Sequence, residues 1–256
     1  MAEGDTILRA ARRIDGALAG DRLTVSAPNP RGRAAGVERL DGRTLERAEA
    51  RGKHLLLHCE ELVLHSHLGM SGAWHVYAPG ASWRKPRGAA WAVLRGEGGE
   101  AVEFGGPTLR ILAASAVRRD PVLARLGPDV LAAGFDPARV VASLLSAPER
   151  AIGDALLDQH LVAGIGNVFK SEACFAARVD PWPSVGEIGR DRLEAVLLAA
   201  RELMGAAVES GRAETAVYKR AGRPCPRCGA TIRSRGQGDA NRTTYWCPVC
   251  QSTATG

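Results

Sequence analysis

The sequence has no apolar run near the roughly 18 residues that a bilayer-crossing helix needs, so a helical membrane protein is excluded. It has no internal repeat and no low-complexity segment, which removes repeat architectures and tethers. The start, MAEGDTILR, lacks a basic lead into an apolar stretch and carries acidic residues early. No secretory signal is therefore expected, and a cytoplasmic protein is. Wholesale disorder is excluded because 45% of the residues are hydrophobic and only 24% are charged. At 256 residues, the chain is too long for one ordinary core and too short for three full-sized ones. About two domains with a small appendage are expected.

Charge is present but unevenly placed. The 34 Lys and Arg against 28 Asp and Glu leave a net +6. Between Arg212 and Arg242, eight basic residues (Arg212, Lys219, Arg220, Arg223, Arg227, Arg233, Arg235 and Arg242) face only Glu214 and Asp239. This 31-residue stretch thus holds the whole excess, and the first 211 residues sum to zero. A basic end on a neutral body is the electrostatic form of a phosphate-binding tip. A solvated charged tail would have the same composition.

The cysteines distinguish the two. Cys225, Cys228, Cys247 and Cys250 read C-x2-C, eighteen residues, C-x2-C. Two tight knuckles, turned by Pro226 with Gly229 and by Pro248, can present four thiolates to one tetrahedral zinc. Two disulfides would also use four cysteines, but the missing export signal disfavours them. Four thiolates with Zn2+ contribute −2, so the tip falls to about +4 and stays basic. Cys59 and Cys174 lie in apolar stretches and are expected to be buried small hydrophobes.

Apolar residues at Ile7, Leu8, Ala11, Ile14 and Leu18 predict a helix from Asp5 to Gly20, with Asp5 or Thr6 as cap and Gly20 as stop. From Leu23 to about Ala116, short runs (LTVSA, HLLLHCE, LVLHSHL, AWHVY, AAWAVLR, EAVEF) alternate with turn signals. They predict a β-sandwich or barrel packed with one long helix. Pro79 to Ala89 is expected to be a long mobile loop. Helices are then predicted from Asp136-Pro137 to Leu145, from about Ala151 to Leu161, from about Val168 to Ala177 and from Arg190 to Ser210. The turn Ala163-Gly164-Ile165-Gly166-Asn167 can hold a phosphate on clustered amides. A glycine C-cap followed by an Asn N-cap would look the same. His54, His58, His65 and His67 invite a metal reading, but no carboxylate is matched to them, so packed or surface histidines are preferred. Trp74, Trp83, Trp91 and Trp182 have no diagnostic context, and Trp246 is expected under the zinc knuckle.

MAEGDT, RGKHLLL, HSHLGMSG, LGPDVL, ALLDQHLVAGIGNVFKSE and RTTYWCPVCQ occur in this order. Together with the four cysteines they resemble the formamidopyrimidine-DNA glycosylase / endonuclease VIII family along essentially the whole chain. The EGDT start and YWCPVCQ ending are more similar to the endonuclease VIII branch. The resemblance implies an α+β multidomain protein. It would comprise an N-terminal β-sandwich with a long helix (1–118), a helix-two-turns-helix domain (119–212) and a C-terminal zinc finger (213–256). It implies a bifunctional glycosylase and abasic-site lyase removing oxidised bases, pyrimidines foremost, with one structural Zn2+. The partner would be damaged DNA, duplex or single-stranded, bound by a monomer with no membrane involved, in a nucleoid-associated cytoplasmic setting.

The resemblance also assigns residues. The mature N-terminal amine, here on Ala2, would attack the sugar C1′. An α-amino group with a pKa of about 7.7–8.0 is usefully neutral at cytoplasmic pH. Glu3 would be the acid/base carboxylate, and Lys53 the basic group aimed at the sugar-phosphate. Asn167 and Arg125 would contact the DNA, and Arg242 would clamp a phosphate and favour δ-elimination. Met70, in HLGMSG, would fill the gap left by the extruded nucleotide. Taken singly, Glu3 could be a helix cap, and Lys53 and Arg125 solvated surface residues. The stretch FGGPTLRIL lacks the Arg-Arg-Phe loop of many relatives, and Arg110 is a weak substitute for it. A catalytically impaired damage-binding protein and a generic zinc-ribbon module are the alternatives.

One departure carries a prediction. Ala2 stands where the family keeps proline. Removal of Met1 before this small residue would leave a primary amine. A proline iminium is permanently cationic, whereas an alanine imine must hold a proton to draw electrons as well. Base removal is expected to survive while strand cleavage slows. Borohydride trapping on abasic DNA, with peptide mapping to Ala2, checks this; an adduct elsewhere, or none, contradicts it.

Overall fold

The computed structural model describes residues 2–252. The chain divides into two compact units, Met1–Arg125 and Leu126–Gly256. Among the described residues no helix is long and apolar enough to cross a membrane.

The first unit contains α1 (Gly4–Leu18), a short α2 (Pro30–Ala34) and eight strands. These are β1 (Thr24–Ser26), β2 (Arg47–Arg51), β3 (His54–Cys59), β4 (Leu62–His67), β5 (Ala73–Tyr77), β6 (Ala92–Gly96), β7 (Gly99–Phe104) and β8 (Thr108–Ala113). They form two antiparallel four-stranded sheets, ordered β2-β3-β4-β8 and β1-β6-β7-β5. The apolar stripe of α1 (Ile7, Ala11, Ile14, Leu18) shares one core with Leu55, Leu57, Leu62, Leu64, Leu94 and Ala101. The helix thus packs against strands of both sheets, as the predicted sandwich with a long helix requires. Its cap is the extended Glu3 rather than Asp5 or Thr6, which lie inside the first turn, and no side chain caps it.

Strands β2 and β8 escape the sequence pattern. Both are sheet edges, so their residues are half-buried and their alternation is weak. The central strands β3 and β4 are buried on both faces. The segment Ala114–Arg125, with Val117 and Leu123 buried, packs over the face that carries His54, His65 and Val63. The segment expected to be a mobile loop is instead pinned. Trp83 donates to Glu100 at 2.8 Å, Arg84 N–H donates to the Tyr77 hydroxyl at 3.1 Å, and the Tyr77 and Trp83 rings stack.

The second unit contains α3 (Pro137–Leu145), α4 (Ile152–Ala155), α5 (Asn167–Ala176), α6 (Arg190–Ser210) and the hairpin β9 (Arg233–Gln237)–β10 (Arg242–Trp246). The Asp136 carboxylate accepts from the Ala138 and Arg139 amides, and Pro137 opens the helix as expected. The helix expected over Ala151–Leu161 is a single turn. Asp158 takes the His160 amide, while Gln159 bridges Leu157 O, Ile165 O and the Gly164 amide. These side chains satisfy backbone groups that a continuing helix would have used. Leu144, Ile152, Phe169, Val196, Leu197 and Met204 form the core of this unit.

The chain crosses from one sheet to the other at residues 68–72, where Gly72 is squeezed. A Cβ there would stand 2.5 Å from Gly105 O and 2.6 Å from Leu68 O, both backbone atoms. Gly72→Ala is expected to destabilise the protein by about 1–3 kcal/mol, read as a lower midpoint in urea denaturation.

Candidate functional site

In the first unit, the start of the chain meets the Met70 loop. The Ala2 N–H donates to Gly69 O at 3.4 Å. Met1 lies outside the described residues, so its removal is not addressed by the structure. Glu3, next to Ala2, is buried at 1% exposure, and its carbonyl begins α1 by accepting from the Ile7 amide. Gly69, with φ +58°, turns the chain so that Met70 points outward. Met70 is 65% exposed, the highest value among the exposed large hydrophobic side chains.

Lys53 sits in the turn between β2 and β3, beside Gly52 with φ +57°. Burial, and after it the Lys53 charge, hold the His67 pKa below its ordinary value. The pair therefore presents one ammonium and one neutral imidazole. His67 had no assigned role in the sequence; only its cross-strand register with His54 brings it to Lys53.

Of the other histidines that invite a metal reading, His54, His58 and His65 are buried. Arg110 Nε donates to His65 Nδ1 at 3.0 Å, and His65 Nε2 lies 2.8 Å from His54 Nδ1. Because Nδ1 of His65 is an acceptor, its proton is on Nε2 and is donated to His54. Arg110 is completed by Asp120, Nη2 to Oδ2 at 2.8 Å. This engaged guanidinium is unsuited to filling a gap in DNA. Burial, followed by neighbouring positive groups, pushes the His54 pKa down to about 3 and that of His65 to about 4. His58 instead contacts Glu49 at 3.0 Å.

In the second unit, Asn167 is the first residue of α5 with Gly166 at the cap position, so it is not the N-cap. Its Nδ2 donates to Thr243 O at 2.7 Å, and Oδ1 is buried without a partner. Thr243 follows Arg242, which is exposed at the start of β10 after the left-handed Asn241. Asn167 thus anchors the strand that carries Arg242. Lys170, one helical turn on and fully buried, was missed because a lone helical lysine reads as surface. It donates to Thr244 Oγ1 at 2.6 Å, and Thr244 donates to Gln237 at 2.6 Å. Trp246, expected under the knuckle, meets Trp182 edge-on at 5.0 Å, and Arg235 stacks over Trp182 at 3.8 Å. Arg233, Arg235 and Arg242 are all exposed on the hairpin. Arg125 is exposed in the last turn of the first unit.

The four cysteines of the tip converge, with Sγ atoms all within 4.8 Å of one another. Cys225 and Cys250 are 3.8 Å apart, and Cys228 and Cys247 3.6 Å. A tetrahedron with Zn–S of about 2.3 Å has edges of about 3.8 Å, so the donor set fits zinc. The Arg227 amide points at Cys225 Sγ and the Cys250 amide at Cys247 Sγ, both at 3.4 Å. Such N–H donors support thiolates in metal knuckles. No other cluster of three or more metal-ligating side chains occurs among the described residues. Cys59 and Cys174 are buried and free, as expected.

Three family models match the chain in order. They are the formamidopyrimidine-DNA glycosylase N-terminal domain over residues 1–107, the formamidopyrimidine-DNA glycosylase H2TH domain over 126–219, and a zinc finger found in FPG and IleRS over 222–253. A probable endonuclease 8 2 of Streptomyces coelicolor is 44% identical, covering 98% of this chain and 94% of that protein. A DNA-(apurinic or apyrimidinic site) lyase Nei2 of Mycolicibacterium smegmatis is 35% identical over 99% of this chain and all of the relative. The Lactococcus lactis formamidopyrimidine-DNA glycosylase, solved with DNA containing an AP site, superposes with a TM-score of 0.82 at 23% identity. That match covers 98% of this chain and 100% of the other, and it supports the fold.

The buried histidines give the first unit an acid limit. Their folded pKa values, about 3 and about 4, lie below the ordinary 6.5. The unfolded chain therefore binds more protons in this range, and stability is lost as pH falls from about 6.5 toward 4. Each histidine contributes a loss on the order of 3 kcal/mol between pH 7 and pH 4, about 6 kcal/mol for the two, read from urea midpoints. A flat profile in the same range would contradict the neutral relay.

Proposed function

Because this chain belongs to the formamidopyrimidine-DNA glycosylase / endonuclease VIII family, we propose that it is a base-excision-repair enzyme. It removes oxidised bases, pyrimidines foremost, and cleaves the resulting abasic site through a Schiff base on its N-terminal nitrogen. The observation that carries this reading is the meeting, within one unit, of the Ala2 nitrogen, the buried Glu3 and the loop that exposes Met70. A nucleophile and a wedge held by the same loop are what excision of an extruded nucleotide needs.

The steps follow from the groups. With Met1 removed, the neutral Ala2 amine attacks C1′ and the base departs with a proton from a carboxyl, the role of Glu3. Ring opening leaves a protonated imine, and loss of a C2′ proton expels the 3′ phosphate. Lys53 with His67 supplies a cation at the sugar-phosphate. Arg242 on its anchored hairpin neutralises a second phosphate and favours the δ step. One zinc, held by Cys225, Cys228, Cys247 and Cys250, staples the knuckles beneath that hairpin and has no part in the chemistry.

The partner is damaged DNA, met by a monomer at the cytoplasmic nucleoid. Arg125 and Asn167 belong to the backbone-contacting set, Asn167 through the strand it anchors. The three segments 1–118, 119–212 and 213–256 are the sandwich, the helix-two-turns-helix domain and the finger. Ala2 in place of proline favours one second reading, a damage-binding protein with weak chemistry.

Incubation with a thymine-glycol duplex separates the two. Base release followed by strand scission is expected, with Glu3→Gln lowering excision by about 100-fold or more. Arg242→Ala is expected to leave β-elimination products accumulating. Tight binding to abasic DNA without scission would favour the second reading.

A further inference from the structure

Glu103 is an acidic side chain that the mechanism above does not use, and it lies under the loop that the mechanism depends on. It sits on β7 at 0% exposure, opposite Trp74 of β5 on one side and Ala92 of β6 on the other. Ser66, the next-to-last residue of β4 in the other sheet, donates its hydroxyl to Glu103 Oε1 at 2.7 Å. The same hydroxyl accepts from Trp74 Nε1 at 3.1 Å. Ser66 and Trp74 are the two stems of the crossing loop, and Met70 is its tip. One buried carboxyl therefore holds together the strand that enters this loop and the strand that leaves it.

The surroundings make that carboxyl neutral. Oε2 has neither exposure nor a hydrogen-bond partner, a condition that a carboxylate oxygen tolerates poorly. No charged side chain acts on the group. Burial pushes its pKa up to about 8, opposed only by the Ser66 hydrogen bond. The Glu103 segment also shapes the floor of the loop. A Cβ on Gly106 would meet His67 O at 2.8 Å and Glu103 Oε1 at 3.6 Å, and a Cβ on Gly69 would meet the Pro107 ring at 2.8 Å. The backbone oxygen of Gly69, on the same loop, accepts from the Ala2 nitrogen.

We propose that Glu103 is a positioning residue: an uncharged carboxyl that, through Ser66 and Trp74, sets the stance of the loop bearing Met70 and receiving the Ala2 nitrogen. This rests on the glycosylase/lyase reading above. Ionising Glu103 would tighten the bond from Ser66 but leave Oε2 as a buried, unpartnered charge beneath the loop, a cost relieved only if the loop shifts to admit water. The group then limits activity on the alkaline side, where the rising fraction of neutral amine would otherwise increase it.

The test uses the full zinc-loaded chain and a duplex with 2-aminopurine beside the lesion, whose fluorescence reports insertion of the wedge. Single-turnover excision is followed from pH 6.5 to 9.5. Wild type is expected to lose wedge signal and rate above about pH 8. Glu103→Gln, which keeps the Ser66 contact but cannot ionise, is expected to retain at least a third of the neutral-pH rate and to lose the alkaline limb. Glu103→Leu is expected to slow excision about tenfold at all pH values while binding abasic DNA within twofold of wild type. Superimposable alkaline limbs in wild type and Glu103→Gln would overturn the proposal, as would an undisturbed wedge signal in a folded Glu103→Leu. If Glu103→Leu does not fold, the comparison with Gln decides. A wild type that neither excises nor cleaves at any pH would sink the functional reading instead.

Discussion

The nucleophile proposed for this protein is a main-chain nitrogen with no side chain to aim it, so the fold must aim the main chain itself. Here the burial of one face of α1 does so. Ile7, Ala11, Ile14 and Leu18 are locked into the core between the two sheets, the three larger side chains each contributing roughly 1.5–3 kcal/mol of burial. A helix held along fifteen residues cannot swing at its first turn. The two residues before it therefore emerge at one place, beside the loop that crosses from sheet to sheet. Placement of the Ala2 nitrogen, the nucleophile of the proposed reaction, is a consequence of hydrophobic packing several turns away.

The second unit solves a different problem. A finger of about thirty residues has too small a core to stand without a metal. The four thiolates close its knuckles, but they do not orient the hairpin. That is done by polar side chains of α5. Asn167 takes Thr243 O, the fully buried Lys170 takes Thr244, and Glu172 accepts the amides of Ala216, Val217 and Tyr218. Gln237 closes the set by donating to Pro181 O. Directional bonds of this kind stabilise modestly, but they are costly to leave unmade, so they specify one stance for the strand that begins at Arg242.

Buried polar groups recur in both units, and chains of hydrogen-bonded partners offset much of their cost. The relay from Asp120 through Arg110 and His65 to His54 keeps two imidazoles uncharged beneath the sheet. Its cost is a dependence on pH that an apolar layer would not have. On the same face His67 stands at a fixed register opposite His54.

Much of this was legible in the chain alone. The four cysteines, the period of α1, the cap at Asp136 with Pro137 and the strand alternation between Leu55 and Phe104 are local signals, because spacing and turn chemistry act over a few residues. They determined the sandwich, the helices, the zinc knuckles and the family. The edge strands β2 and β8 were not legible, since half-exposed residues carry little periodicity. Neither was the early end of α4, where side chains of Asp158 and Gln159 captured backbone groups. The partners of Arg110, Lys170, His67 and Asn167 were decided only by tertiary structure. Thr243 and Thr244 for Asn167 and Lys170, and His65 for Arg110, lie on strands distant in sequence, and which polar groups meet depends on register and packing that local patterns do not encode.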